Sequence, residues 1–119
     1  MSKALPLVII ESPYAGQIAR NTAYARSAMR DSLAHGEAPL ASHLLYTQPG
    51  ILNEDIPEER TAGILSGYAW MQKADYVVFY TDFGMSKGMK AARDHAQSLG
   101  VPIAYRRLDA EPVLLEDIA

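Results

Sequence analysis

The chain has 119 residues, a length that suits one domain with a single hydrophobic core. Its net charge of −3 argues against a nucleic-acid-binding surface, and the absence of cysteine excludes disulfides, thiolate nucleophiles and thiolate metal ligands. No apolar run reaches membrane-spanning length and no signal peptide is recognised, so we expect a cytoplasmic protein without a membrane partner.

The first half of the chain alternates predicted strands and helices. Residues 5–10 are a continuous apolar run, which is typical of a strand buried on both faces. A Ser-Pro-Tyr-Ala-Gly segment ends this strand, and a helix is predicted from Ile18 or Asn21 to Ala34. The spacing predicts that its buried face carries Ile18, Thr22, Ala25, Met29 and Leu33. A less apolar strand is predicted at residues 38–46, which suits a position nearer a sheet edge.

A long loop at residues 47–54 leads to the second major helix, which is predicted to run to about Lys73. Asp55 is the predicted N-cap, because Glu58 follows it at the spacing of a capping box. Pro57 in the first turn agrees with a helix start at this point.

The last part of the domain repeats the strand–helix–strand pattern. Residues 75–80 form the best strand candidate, and a helix is predicted from Ser86 to Leu99. A final strand is predicted at residues 102–106. The domain is therefore expected to span residues 1–108, with an acidic C-terminal tail at residues 109–119.

This order of elements predicts a single Rossmann- or flavodoxin-like α/β domain. We expect a mainly parallel four-stranded sheet in the order 2-1-3-4 with helices on both faces. Ligands of such sheets bind at the carboxyl ends of the strands, near the point where the strand order reverses. The loops at residues 12–16, 46–53 and 81–88 should therefore lie together.

The segment from Thr81 to Met89 is the most informative of these loops. It joins a strand to a helix, and the first N–H groups of a helix can bind an anion. Gly84 and Gly88 would let a ligand approach the backbone, Ser86 could cap the helix or bind a phosphate oxygen, and Lys87 adds a positive charge. A plain strand–helix connection can have the same composition.

The three loops together supply aromatic rings, carboxylates and a helix N-terminus. A nucleotide or nucleoside is the simplest ligand that uses all three kinds of group. The side chains they are predicted to bring together are Glu11, Ser12, Tyr14, Tyr46, Gln48, Asn53, Asp82, Ser86 and Lys87. The three histidines show no metal-ligand spacing, so neither a metal site nor another cofactor is expected. His43 is interpreted as a residue of the strand surface or core edge.

Two of these segments resemble signatures of the nucleoside 2-deoxyribosyltransferase-like superfamily. The string Ile10-Glu-Ser-Pro-Tyr-Ala-Gly16 resembles its first strand and loop, and Asp82-Phe-Gly-Met-Ser-Lys-Gly-Met89 resembles its second signature. The resemblance extends from Leu5 to Arg107 and is closest to small uncharacterised phage and bacterial members. It implies the α/β fold, a nucleoside or nucleotide ligand and a homodimer or higher homo-oligomer.

At one position the sequence departs from the pattern of this superfamily. Catalytic members place a nucleophilic Glu about one helical turn after the Gly of the second signature, where this chain has Ala92. Asp94 lies two residues further on, roughly 200° around the helix at about 100° per residue. Glu11, Asp82 or Glu59 could carry a carboxylate role instead, and the sequence does not select among them.

Three hypotheses follow for function. The first is an enzyme that cleaves or transfers the N-glycosidic bond of a (deoxy)nucleotide, and the second is a sensor or sequestering protein for a nucleotide-derived ligand. The third is an assembly protein that retains only the fold. The candidate catalytic residues are Asp82, Tyr14 and Glu11. The candidate ligand- or phosphate-binding residues are Ser12, Gly16, Gly84, Ser86, Lys87, Gly88 and Gln48. Asp82 would hold the sugar or protonate the leaving base.

Overall fold

A computed structural model describes residues 4–109, so the predicted tail lies outside the described residues except for Asp109. The strands are β1 (Leu7–Glu11), β2 (Ala38–Leu40), β3 (Tyr76–Tyr80) and β4 (Ile103–Arg106). The helices are α1 (Ile18–Ala34), α2 (Ser42–Leu45), α3 (Pro57–Met71) and α4 (Lys87–Leu99). None of the helices within residues 4–109 has the length and apolar character needed to cross a membrane.

All strand pairings in the sheet are parallel, and the order β2-β1-β3-β4 confirms the predicted topology. The central pair is in register from Val8 opposite Tyr76 to Glu11 opposite Phe79. β1 and β3 are buried because they lie inside the sheet and helices cover both faces. The carboxyl ends of β1 and β3 therefore meet at one edge, where the chain turns into loops.

The core has one layer on each face of the sheet. On the α1 face, Tyr24 and Ala28 pack against Val8, Ile10 and their neighbours on β3. On the opposite face, residues of α3 and α4 pack against the alternate positions of β1 and β3: Met71, Met89, Ala92 and Ala96 meet Ile9, Val77 and Phe79. This alternation confirms the prediction of helices on both faces. Each large apolar side chain buried here contributes about 1.5–3 kcal/mol to folding.

The second predicted strand is partly wrong. β2 ends at Leu40, and residues 42–45 form the short helix α2 instead of continuing the strand. α2 packs closely on α3 at Gly67, where an added Cβ would lie 2.5 Å from the hydroxyl oxygen of Ser42. The contact with α3, which no local pattern encodes, favours the helical turn over an extended edge strand.

The predicted cap of the second major helix is also wrong. α3 begins at Pro57 after Ile56, and no side chain caps it. The backbone N–H of Asp55 donates to the side chain of Asn53 at 3.0 Å, and the carboxylate of Glu59 accepts from the backbone N–H of Asn53 at 3.0 Å. The carboxylate of Glu59 and the side-chain amide of Asn53 therefore shape the loop before the helix.

The predicted buried face of α1 is confirmed in part, because Ala25 is buried and Met29 packs against the core. Ile18 and Leu33 are exposed, whereas Asn21, Tyr24 and Ala28 are buried. Small alanines allow α1 to lie close to the sheet, and Asn21 is accommodated because its amide donates to the carbonyl of Tyr14 at 2.9 Å. The helix begins at Ile18, one of the two predicted starts, and ends at Ala34 as predicted.

Candidate ligand-binding cleft

A cleft of about 270 Å³ opens at the carboxyl end of β1. It lies between the turn after β1, the helices α2 and α3, and the N-terminus of α4. The residues that bring polar, charged or aromatic groups to it are Glu11, Ser12, Tyr14, Ser42, His43, Tyr46, Thr47, Glu54, Glu59, Arg60, Tyr68, Ser86 and Lys87. Its volume lies near the lower end of the range of about 300–1,000 Å³ for small-molecule sites.

Glu11 is the last residue of β1, and its carboxyl group lies in the cleft without a hydrogen-bonding or charged partner among the described residues. Burial raises the pKa of Glu11 to about 8. The carboxyl group is therefore mostly protonated at pH 7. A carboxyl of perturbed pKa in a cleft is a common feature of functional sites.

Ser12 and His43 form a hydrogen-bonded pair beside Glu11. The hydroxyl oxygen of Ser12 lies 2.8 Å from Nε2 of His43, which α2 brings to the cleft. Burial lowers the pKa of His43 to about 4, so the ring is neutral at pH 7. Nδ1 of the same ring is buried and has no hydrogen-bond partner. The pair therefore offers neutral hydrogen-bonding groups rather than a positive charge.

The N-terminus of α4 supplies the positive side of the cleft. The side chain of Ser86 caps the helix by accepting from the backbone N–H of Met89 at 3.2 Å. Lys87 and Gly88 occupy the first turn and line the cleft, and their N–H groups have no acceptor among the described residues. A Cβ placed on Gly88 would have no atom within 4 Å, so the backbone is open to a ligand there.

Three tyrosine rings face the cleft, and two of them are held by histidines. Tyr68 stacks on His95 with ring centroids 4.1 Å apart and planes 11° from parallel. Tyr14 meets the ring of His43 edge-on, with centroids 6.4 Å apart. The hydroxyl of Tyr46 accepts a hydrogen bond from the indole of Trp70 at 2.7 Å. These contacts orient the rings before any ligand binds.

Three charged residues from the loop before α3 and its first turn complete the lining. We call Glu54, Glu59 and Arg60 the charged border of the cleft. Arg60 lies 3.9 Å from Glu54, in a solvent-accessible ion pair. Glu54, Glu59 and Tyr14 also line a neighbouring cavity formed with the loop around Gly50, so the charged border lies between the two cavities.

A family model described as "Domain of unknown function (DUF7768)" matches residues 6–106. This chain belongs to the DUF7768 family. Among solved structures, a 2-deoxyribosyltransferase from Bacillus psychrosaccharolyticus is similar to it, with 17% sequence identity and a TM-score of 0.60. The similarity covers 92% of this chain and 78% of that chain, and at this identity it shows a shared fold. No curated protein matches the chain.

The structure brings together six of the ten site residues predicted for this DUF7768 chain. Those lining the cleft are Glu11, Ser12, Tyr14, Ser86, Lys87 and Gly88. The other predicted positions, Gly16, Gly84, Gln48 and Asp82, do not line it. Gly16 and Gly84 have φ values of 95° and 79°, so both serve turns that favour glycine. The side-chain amide of Gln48 donates to the carbonyl of Leu45 at 3.0 Å.

Asp82 was predicted to hold the sugar or protonate the leaving base, and the structure places it outside the lining of the cleft. Its carboxylate accepts hydrogen bonds from the hydroxyl of Tyr24 and from the backbone N–H groups of Leu108 and Asp109. Burial by itself would raise the pKa of Asp82, but these hydrogen bonds lower it. Asp82 therefore fastens the segment after β4 to α1, which explains why it is not presented to the cleft.

Sequence reasoning missed His43, Tyr68 and Arg60 as site residues. His43 was interpreted as a residue of the strand surface or core edge, whereas it lies on α2. The lack of a local signal for α2 hid His43. Within residues 4–109 there is no group of three or more His, Asp or Glu side chains that could hold a metal ion.

Proposed function

We propose that this protein binds a nucleotide or nucleoside in the cleft and cleaves or transfers its N-glycosidic bond, with Glu11 as the reacting carboxyl group. The observation that carries the proposal is the unpartnered carboxyl of Glu11, whose pKa is raised to about 8 in a cleft lined by tyrosines. The deoxyribosyltransferase with the same fold acts in nucleoside synthesis, which supports a ligand of this class.

Glu11 has two protonation states that suit the breaking of this bond. The neutral carboxyl, which dominates at pH 7, can donate a proton to a leaving base. The ionised form can stabilise positive charge that develops on the sugar carbon C1′ in an oxocarbenium-like transition state. Both actions require a carboxyl group that is not already hydrogen-bonded or ion-paired with other protein groups, and Glu11 meets this condition.

The first turn of α4 is the proposed place of a phosphate group. The N–H groups of Lys87 and Gly88 point away from the helix without acceptors, and the Lys87 side chain adds a full positive charge. The sugar would then lie near Glu11 and Ser12, and the base would pack against Tyr14 or Tyr68.

A second candidate function is ligand binding without turnover. Ala92 lines the cleft from α4, at the position where the family resemblance places a nucleophilic Glu. A chain that lost this nucleophile could still hold the ligand through the other residues of the cleft. This candidate predicts nucleotide binding with no release of base.

Chromatography of reaction mixtures with each ribo- and deoxynucleoside monophosphate separates the two candidates. We expect wild type to release free base and Glu11→Gln to lose at least 100-fold in rate, the lower end of a general acid–base contribution of about 10²–10⁴. Glu58→Gln is the matched control because Glu58 is exposed and does not line the cleft. Binding without base release in wild type would favour the sensor or sequestering function.

Gly88→Glu tests the phosphate position by adding bulk and negative charge. The open space at Gly88 should let the variant fold, while the affinity for nucleoside monophosphates falls by at least tenfold. Gln97→Glu makes the same charge change on an exposed position of α4 and should bind as wild type does. Equal affinity of Gly88→Glu and wild type would place the phosphate elsewhere.

A further inference from the structure

We propose that the base of the ligand carries a positive charge, so that the cleft holds the N-glycoside of a cationic ring such as a pyridinium mononucleotide. The charged ring lies against the carboxylate of Glu11 and the rings of Tyr14 and Tyr68. This inference rests on the proposed function of the same cleft and names its substrate class.

The first ground is that Glu11 lacks any partner of its own. Glu11 is half-buried at the end of β1, and ionisable groups that are partly withdrawn from water are usually paired or hydrogen-bonded. The carboxyl of Glu11 has neither kind of partner among residues 4–109, although its charge is close enough to influence Tyr68. A cationic ligand supplies a charged partner, whereas a neutral base can supply only a hydrogen bond.

The second ground is the arrangement of the aromatic rings. Cations are attracted to the faces of tyrosine rings within about 6 Å of the centroid. His95 stacks on one face of Tyr68, and Tyr68 lines the cleft. The edge contact with His43 holds Tyr14 at the same cleft. Burial keeps the His43 ring neutral, so it does not repel a cation.

The third ground is the charge balance of the lining that comes from α3 and the loop before it. The charged border has two carboxylates and one guanidinium, and that guanidinium already lies beside Glu54. Glu59 has no salt bridge among the described residues. A ligand with an anionic phosphate and a cationic base therefore matches the two kinds of charge in the lining, with Lys87 beside the phosphate.

A cationic base needs no general acid, so Glu11 can act in its carboxylate form. When the C1′–N bond breaks, its electron pair goes to the ring nitrogen and cancels the positive charge there. The leaving base then needs no proton. The oxygen of a water molecule bonds to C1′, and the proton of that water passes to the carboxylate of Glu11. Hydrolysis is balanced with water as the co-reactant.

Oxidised and reduced nicotinamide mononucleotide provide the test, because they have nearly the same size and differ in the charge of the ring. We expect the oxidised form to bind wild type at least tenfold more tightly in titration calorimetry at pH 7.5. The preference should increase from pH 6 to pH 8 as Glu11 ionises, and the neutral rings of His43 and Tyr68 should not change over this interval. Lys87 faces the phosphate that both probes share, so the preference reports on the groups around the ring.

Glu11→Gln should reduce the preference for the oxidised form to within about threefold, whereas Glu58→Gln should retain it. Equal affinity of wild type for the two forms, or tighter binding of the reduced form, overturns the inference without the need for any variant. If the inference fails in this way but wild type binds purine or pyrimidine monophosphates, the proposed function still stands. Failure of every nucleotide to bind rejects both.

Discussion

The guanidinium of Arg106, at the end of β4, donates two hydrogen bonds to the carboxylate of Glu37, just before β2, at 2.8 and 2.6 Å. β2 and β4 are the two edge strands, so this pair crosses the α1 face of the whole sheet. The hydroxyls of Ser32 and Tyr76 also donate to Glu37. Burial by itself would raise the pKa of Glu37, but the hydrogen bonds lower it to about 2.

Arg106→Met should strongly destabilise the fold, because it leaves the buried Glu37 without its charged partner. Breaking such a pair costs about 3–5 kcal/mol, which urea denaturation at pH 7 would measure. Arg107→Met is the control, since Arg107 pairs with Asp109 on the surface and should matter little. The stabilisation from Glu37 should be full above about pH 4.5 and lost as the pH falls toward 2. Similar effects of the two substitutions would contradict this account.

Glu11→Gln should stabilise the protein increasingly as the pH rises. The pKa of Glu11 is raised from 4.5 to about 8, so the unfolded chain loses this proton first. Between these values the native state binds more protons, and the free energy of unfolding of wild type falls with increasing pH. Denaturation curves from pH 4.5 to 8 should show the Gln variant gaining on the order of 1–4 kcal/mol relative to wild type. A difference that stays constant over this pH range would mean that Glu11 ionises normally.

Asp82→Asn and Tyr24→Phe should both weaken the fold and leave the cleft intact. Each removes part of the hydrogen-bonded connection between α1 and the segment after β4, which we expect to cost about 1–3 kcal/mol. Denaturation and nucleotide titration of the folded variants measure the two properties separately. Loss of base release with unchanged stability in Asp82→Asn would restore the catalytic role that the sequence predicted for Asp82.

The homo-oligomer that the family resemblance implies remains a prediction, and we expect its interface on α3, which carries Gly63, Gly67, Tyr68 and Trp70. The structure exposes 60% of Leu65 and 47% of Trp70 on this helix, which supports an apolar contact with a second copy. Light scattering should give a homodimer or larger assembly, and Leu65→Glu should lower its mass. Gln97→Glu controls for added charge. A mass of 13.0 kDa for wild type at high concentration would reject the prediction.

The sequence by itself determined the sheet and the entry to α4. The apolar runs that became β1 and β3 have no polar face to present to water, so they had to lie inside a sheet covered on both sides. Ser86 caps α4, and Gly100 ends it with a φ of 71°, because both effects act within one helical turn. The loops that follow β1 and β3 were expected to lie together, because ligands of such sheets bind at the carboxyl ends of the strands.

Only the tertiary structure decided which polar groups face the cleft. Ser12 and His43 are 31 residues apart, Tyr24 and Asp82 are 58 apart, and Glu37 and Arg106 are 69 apart. Such pairs leave no periodicity or capping signal in the chain. Hydrogen bonds to Tyr24 and to the segment after β4 hold Asp82 away from the cleft, whereas the packing of α2 on α3 places His43 in the cleft. Glu11 kept its place at the cleft because no other side chain among residues 4–109 bonds to it.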